Sequence, residues 1–84
     1  MTRILVVDDE PQIRKALSVN LRARGYDVDA AASGEEALSL AAANHPDLVL
    51  LDIGLPGIDG IEVVEGLRGW TRVPIIMLSV RDAE

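Results

Sequence analysis

Acidic side chains follow two of the most apolar segments of this 84-residue chain. Asp8 and Asp9 come directly after Ile-Leu-Val-Val at residues 4–7, and Asp52 comes directly after Leu-Val-Leu-Leu at residues 48–51. Three carboxylates brought together by folding would repel one another strongly without a cation, and carboxylate oxygens are ligands that suit Mg²⁺. A bound Mg²⁺ could hold a phosphoryl donor while one carboxylate attacks phosphorus. These residues therefore indicate a metal-dependent phosphoryl-transfer site.

A hydroxyl group ends a third apolar run, because Ser79 follows Pro-Ile-Ile-Met-Leu at residues 74–78. In an open parallel sheet the carboxyl ends of the strands lie at one edge, and ligands bind there near the point where the winding direction reverses. At that edge the Ser79 hydroxyl could donate a hydrogen bond to an oxygen of a transferred phosphoryl group. Any one of the acids alone would fit an ordinary helix cap, whereas the combination favours a functional site.

The positions of these side chains depend on apolar strands that alternate with amphipathic helices. Pro11 suits the first turn of a helix that ends at Gly25, and residues 33–36 (Ser-Gly-Glu-Glu) form a capping box that opens a second helix. A short strand with one polar face is predicted around residues 26–30, and a third helix is predicted to begin with Asp59 as its cap. The predicted order β-α-β-α-β-α-β indicates an α/β fold with an open parallel sheet. Helices are expected to cover both faces of this sheet, and the crossover connections between its strands are expected to be right-handed.

The composition excludes several classes of protein. An apolar share of 49% is too high for a disordered segment, and a charged share of 26% is too high for an integral membrane protein. The chain has no cysteine, which excludes disulfides and Cys-ligated zinc and predicts a cytoplasmic location. The net charge of −6 argues against direct binding to nucleic acid, because affinity for the phosphate backbone comes from clustered Lys and Arg.

Four segments together resemble the receiver domain of two-component response regulators. They are I-L-V-V-D-D-E-P at 4–11, D-L-V-L-L-D at 47–52, L-P-G-I-D-G at 55–60 and V-P-I-I-M-L-S at 73–79. The resemblance implies a flavodoxin-like (CheY-like) receiver fold. Residues 66–82 further resemble winged-helix transcriptional regulators of the OmpR/PhoB type, especially those that control Kdp potassium transport.

The resemblance also implies a role for each candidate site residue. Asp52 would be the phosphoacceptor that receives phosphate from a sensor histidine kinase, and Ser79 would be the switch hydroxyl that moves toward phospho-Asp52. Mg²⁺ would be bound directly by Asp9, mainly through water by Asp8, by Asp52, and by the backbone carbonyl of Gly54. The chain would then be a signalling module rather than an enzyme, and the parent protein would bind DNA only through a separate output domain.

By the same resemblance, residues 1–84 are expected to be a fragment with about four strands and three helices of a domain that has five of each. The expected missing parts are the fourth helix, a fifth strand that ends in a lysine, the last helix and any output domain. The only lysine, Lys15, lies in the first helix and cannot take that role. Without the lysine of the fifth strand, the phosphoryl group would lack a cation that offsets its charge, so phosphotransfer is expected to be slower. The strand at 74–78 would also become an open edge that pairs or swaps with another copy.

Two alternative functions remain open at the level of the sequence. An acylphosphate-type phosphatase would use Asp8 and Glu10 as an acid-x-acid pair, although a second Asp is expected in place of Glu10 and Asp52 would have no role. A phosphorylation-silent interaction module would keep the fold only. Labelling with acetyl phosphate and Mg²⁺ separates these hypotheses, because each predicts a different labelled residue or none.

Overall fold

The computed structural model describes residues 2–52, 54–55 and 60–78. Strands and helices alternate along these residues in the predicted order. The elements are β1 (Arg3–Val7), α1 (Pro11–Ala23), β2 (Asp27–Ala31), α2 (Gly34–Asn44), β3 (Leu48–Asp52), α3 (Gly60–Arg68) and β4 (Ile75–Leu78). The predicted α/β class is therefore confirmed.

The four strands form one parallel sheet in the order β2-β1-β3-β4. From β1 the chain first passes to β2 on one side and then returns to β3 on the other, so the winding direction reverses between β1 and β3. In the register of these two strands Val7 lies beside Leu51, which places the residues that follow them at the same level. Open α/β sheets bind ligands at this reversal point.

β1 is buried on both faces, as its continuous apolar sequence predicted, whereas β3 is buried on one face and half-buried at Leu48 and Leu50 on the other. On one face Leu5, Val49 and Leu51 belong to a large core cluster that includes residues of α2 and α3. On the other face Ile4 and Val6 pack with half-buried leucines of α1. The strands that carry the acidic residues are therefore the best-buried strands among the described residues.

The second strand differs in detail from its prediction. Tyr26 precedes the strand and is 37% exposed. The face that was predicted to be polar contains a buried Ala31, and it also carries Asp29, whose Oδ2 lies 3.0 Å from Nη1 of Arg3. The half-buried position of Asp29 is tolerated because this guanidinium and the side-chain amide of Asn44 both donate to its Oδ2.

Helix ends follow the local sequence closely. The Ser33 hydroxyl accepts a hydrogen bond from the Glu36 N–H at 3.2 Å, which confirms the predicted capping box. The Glu36 carboxylate reaches one residue further back than expected and accepts from the Ala32 N–H at 2.8 Å. Pro11 begins α1, and Gly25 follows its end with a φ of 94°, a conformation that favours glycine. Asp59, the predicted cap of α3, lies outside the described residues.

Within the described ranges β4 is an edge strand. It pairs with β3 on one side, and the side chains of Ile76 and Met77 are 48% and 41% exposed. An exposed apolar edge favours pairing with another chain. No helix in the described part of the chain is long and apolar enough to span a bilayer.

Candidate functional site

Three carboxylates converge where β1 and β3 end. One oxygen from each of Asp8, Asp9 and Asp52 lies within 4.8 Å of the others. The cause is the parallel register, because the Val7–Leu51 pair puts Asp8 level with Asp52 across adjacent strands. We refer to these three residues as the carboxylate cluster. The structure thus brings together all three acidic side chains that the sequence analysis selected.

Asp8 is held in place from several directions. It is 2% exposed, and its Oδ1 accepts a hydrogen bond from the Glu10 N–H at 2.8 Å. Its backbone N–H donates to the Ala31 carbonyl at 3.1 Å, and its carbonyl accepts from Nη1 of Arg14 at 2.8 Å. The start of α1 therefore anchors Asp8 through backbone and side-chain contacts.

The pKa of Asp8 is raised above its ordinary value of 3.8. Burial is the largest cause, and the nearby charges of Asp52 and Asp9 raise the pKa further. The hydrogen bond from the Glu10 N–H and the positive charge of Arg14 act in the opposite direction without cancelling the effect. An ionised Asp8 is therefore destabilised in the metal-free site, and a divalent cation would relieve that destabilisation.

This raised pKa predicts how stability depends on pH. A carboxyl group with a higher pKa in the folded state binds its proton more tightly there, so its contribution to stability falls as pH rises from 3.8 through the raised pKa and is constant above it. We expect Asp8→Asn to remove this fall, so that the metal-free variant gains stability over the wild type as pH rises. Urea unfolding in EDTA at a series of pH values measures the difference. Asp27→Asn is the matched control, since Asp27 is exposed. A pH-independent difference for Asp8→Asn would contradict this expectation.

Asp9 carries an unsatisfied acceptor. Its Oδ1 is buried and has no hydrogen-bond partner among the described residues. A buried carboxylate oxygen without a partner costs stability unless something compensates its charge. A cation placed among the three carboxylates would supply that compensation, so the donor set fits a hard divalent ion such as Mg²⁺.

Asp52 is 3% exposed and is oriented by the loop that follows it. Its Oδ1 accepts a hydrogen bond from the Gly54 N–H at 3.0 Å. This contact places Gly54 next to the carboxylate cluster, while a metal contact through its carbonyl remains a prediction. Ser79 lies outside the described residues, so its role as the switch hydroxyl also remains a prediction.

Two contacts at the site were not anticipated from the sequence. The Glu10 N–H and the Arg14 guanidinium both stabilise the segment around Asp8. The contact made by Arg14 could have been inferred from the sequence, because a helix that starts at Pro11 places its first turn near the end of β1. Lys15 is exposed and lines a groove beside α1, which agrees with its exclusion from the site.

Comparison with known proteins identifies the family. The family model described as "Response regulator receiver domain" matches residues 4–84. The chain belongs to this family. The response regulator protein TrrA from Thermotoga maritima, solved in complex with Mg²⁺–BeF, superposes on this receiver domain with a TM-score of 0.88 at 47% identity, and the match covers 98% of this chain and 72% of that one.

The receiver domain is also similar to transcriptional regulators. It is 56% identical over 81 residues to the transcriptional regulatory protein KdpE of Mycobacterium tuberculosis, and the match covers 96% of this chain and 36% of that protein. It is 52% identical over 77 residues to the probable transcriptional regulator ycf27 of Porphyridium aerugineum, covering 92% of this chain and 32% of that protein. The chain thus spans about a third of the length of these relatives. The predicted resemblance to regulators of the Kdp type is confirmed.

Proposed function

We propose that this receiver domain accepts a phosphoryl group on Asp52 in a Mg²⁺-dependent reaction. The observation that carries the proposal is the convergence of the three carboxylates at the reversal point of the sheet, with Asp9 Oδ1 buried and unpartnered within the described ranges. The Mg²⁺–BeF complex of TrrA, a receiver relative at 47% identity, supports the same chemistry at this site.

The two oxygens of Asp52 have different roles in this proposal. Oδ1 is occupied by the Gly54 N–H, so Oδ2 is the oxygen that attacks phosphorus. The attack forms an oxygen–phosphorus bond and breaks the bond between phosphorus and the leaving group, which is a histidine nitrogen of the kinase or the acetate of acetyl phosphate. The Gly54 contact fixes the carboxylate plane before the donor arrives, which reduces the entropy lost on reaching the reactive geometry.

The metal would be held by the carboxylate cluster together with Gly54. Asp9 and Asp52 would bind directly, Asp8 mainly through water, and Gly54 through its carbonyl. The bound ion would neutralise charge on the phosphoryl oxygens as Asp52 approaches. Ser79 would then donate its hydroxyl to a phosphoryl oxygen and act as the switch.

The proposed partners follow from the proposed role of Asp52 as the phosphoacceptor. A sensor histidine kinase in the cytoplasm would supply the phosphoryl group, and the longer protein would regulate transcription through a DNA-binding output domain. Similarity to KdpE supports this assignment. The receiver domain would act as a signalling module that takes part in its own phosphorylation rather than as an enzyme with turnover on other substrates.

Incubation with acetyl phosphate tests the proposed function. In the presence of Mg²⁺ we expect the intact mass to rise by one phosphoryl group, and we expect hydroxylamine to remove the label because an acylphosphate is a reactive mixed anhydride. Chelation of Mg²⁺ with EDTA should prevent labelling, since the carboxylate cluster alone repels an anionic donor. Absence of labelling with Mg²⁺ would favour the phosphorylation-silent module instead.

For residues 1–84 alone we further propose self-association through β4, as an oligomer or a strand-swapped form. The exposed side chains of Ile76 and Met77 on this edge support it. Sedimentation velocity should show a weight that rises with concentration, and Ile76→Lys should reduce that rise because an edge charge opposes strand pairing. Ile61→Lys is the control, since Ile61 is 63% exposed on α3 rather than on the edge. A single monomeric species at all concentrations would contradict the proposal.

A further inference from the structure

The outer strands of the sheet differ in how many backbone groups they leave open. Within the described ranges β2 forms one edge and β4 forms the other. An added strand can bond only to the N–H and C=O groups of an edge strand that point away from the sheet. The hydrogen bonds that each edge strand makes to its inner neighbour show which groups these are.

On β2 the backbone groups of Val28 and Ala30 point outward. At the start of this strand the Asp27 N–H donates to the Thr2 carbonyl at 3.0 Å, so Asp27 faces β1. Successive residues of a strand alternate in direction, and residues 28 and 30 therefore face away from β1.

The N–H of Ala32 also points outward, just beyond the end of β2. The carbonyl of Ala31 points toward β1, because it accepts a hydrogen bond from the Asp8 N–H at 3.1 Å. The C=O and N–H of one planar trans peptide point in opposite directions. The peptide that joins Ala31 to Ala32 therefore turns its N–H away from the sheet.

Two charged side chains occupy outward groups at the two ends of this edge. Nη2 of Arg22 donates to the Val28 carbonyl at 3.0 Å, and Oε1 of Glu36 accepts from the Ala32 N–H at 2.8 Å. Arg22 belongs to α1, which precedes β2, and Glu36 belongs to α2, which follows it. Each end of the edge is thus closed by a neighbouring helix.

These two contacts interrupt every parallel pairing unit of the β2 edge. In a parallel pair each residue of the added strand bonds one C=O and the N–H two residues further on. The units available are the Val28 C=O with the Ala30 N–H, and the Ala30 C=O with the Ala32 N–H. Arg22 occupies a group of the first unit and Glu36 a group of the second, so neither unit is complete. An antiparallel strand would find both groups open at Ala30 alone.

The outer edge of β4 is open by the same criterion. The Val49 N–H donates to the Pro74 carbonyl at 3.0 Å, so Pro74 faces β3 and the backbone groups of Ile75 and Met77 face outward. No described side chain hydrogen-bonds to these outward groups. The unit formed by the Ile75 C=O and the Met77 N–H is therefore complete.

We propose that Arg22 and Glu36 guard the edge of β2 against an added strand, so that a second copy of this chain pairs only through β4. The choice of a second copy as the partner rests on the self-association proposed for residues 1–84. Pairing of β4 with β4 is a two-fold contact that uses both open edges, so association ends at a dimer. Pairing of β4 with β2 is a head-to-tail contact that leaves an open edge at each end and gives filaments. The two guards therefore decide between a closed dimer and an open filament.

Removal of both guards tests the proposal by sedimentation velocity. With rising concentration we expect the mass of the wild type to level off at twice the monomer mass, and that of Arg22→Ala/Glu36→Ala to rise beyond it. Arg24→Ala/Glu35→Ala is the matched control, because it removes the same two charges at neighbouring exposed positions and should behave like the wild type. A double variant that levels off like the wild type, or a wild type that itself grows beyond a dimer, would overturn the proposal.

A strand-forming peptide separates the guards from the self-association. The probe is Lys-Val-Thr-Val-Thr-Lys, and both proteins compared carry Ile76→Lys to oppose pairing at β4. We expect the peptide to shift the backbone NMR signal of Ala30 when Arg22→Ala and Glu36→Ala are also present, and to leave it unchanged in Ile76→Lys alone. This result with a monomeric wild type would refute the self-association and support the guards. Equal shifts in both proteins, or none in either, would refute the guards.

The single variant Arg22→Ala covers the case in which loss of Glu36 weakens α2. It leaves the capping box at Ser33 intact and still completes the unit formed by Val28 and Ala30. We expect it to retain the helical circular dichroism of the wild type and, combined with Ile76→Lys, to bind the peptide. A folded Arg22→Ala/Ile76→Lys protein that does not bind the peptide would contradict the role of Arg22.

Discussion

Replacing Asp52 with asparagine should abolish the incorporation of phosphoryl groups from acetyl phosphate. The amide keeps the size of the side chain and can still accept the Gly54 N–H at Oδ1, so the fold should be preserved. It loses the anionic oxygen that attacks phosphorus, and an amide nitrogen is a poor nucleophile. Intact-mass spectrometry after incubation with Mg²⁺ should therefore show labelling of the wild type and none of the variant.

Two further variants separate loss of the phosphoacceptor from general effects. Asp27→Asn changes an exposed acid outside the carboxylate cluster and should be labelled like the wild type. Asp8→Asn should be labelled more slowly, because it disturbs metal binding and leaves the acceptor intact. Labelling that persisted in Asp52→Asn but vanished in Asp8→Asn would overturn the assignment and favour the phosphatase hypothesis, in which Asp8 and Glu10 form the reactive pair.

The second large effect concerns the affinity for Mg²⁺. Replacing Asp9 with asparagine should weaken Mg²⁺ binding by about tenfold to a hundredfold, which corresponds to the loss of one charge-assisted contact of roughly 1.5–3 kcal/mol. Oδ1 of Asp9 has no partner within the described residues, so a bound cation is the group that would satisfy it. Isothermal titration calorimetry measures the affinity directly, and Asp27→Asn is again the control.

Thermal unfolding tests the same prediction through the stability of the protein with and without Mg²⁺. Without metal, Asp9→Asn should be at least as stable as the wild type, since it removes one of three mutually repelling charges. With saturating Mg²⁺ the wild type should gain more stability than the variant, because a ligand that binds the folded state stabilises it in proportion to its affinity. An equal gain in both proteins would show that Asp9 does not contact the metal.

The residues of the site could be predicted from the sequence because their positions are set by local patterns. Asp8 and Asp52 each follow an unbroken apolar run, and such runs form strands buried on both faces. A parallel sheet then brings the ends of those strands to one edge. The capping box at Ser33 and the stop at Gly25 were predictable for a similar reason, since each depends on residues within one turn.

Other features depended on contacts between segments that are distant in the sequence. The 4.8 Å grouping of the carboxylates, the raised pKa of Asp8 and the unpartnered Oδ1 of Asp9 arise from the register of β1 against β3 and from burial by the surrounding helices. The groove beside α1 forms because α1 packs across β2, which brings Arg14, Lys15 and Arg22 of the helix next to Ala30 of the strand. The sequence alone determined which residues could do chemistry at this site. The tertiary structure decided their distances and burial, because packing of distant segments sets the local electrostatic environment.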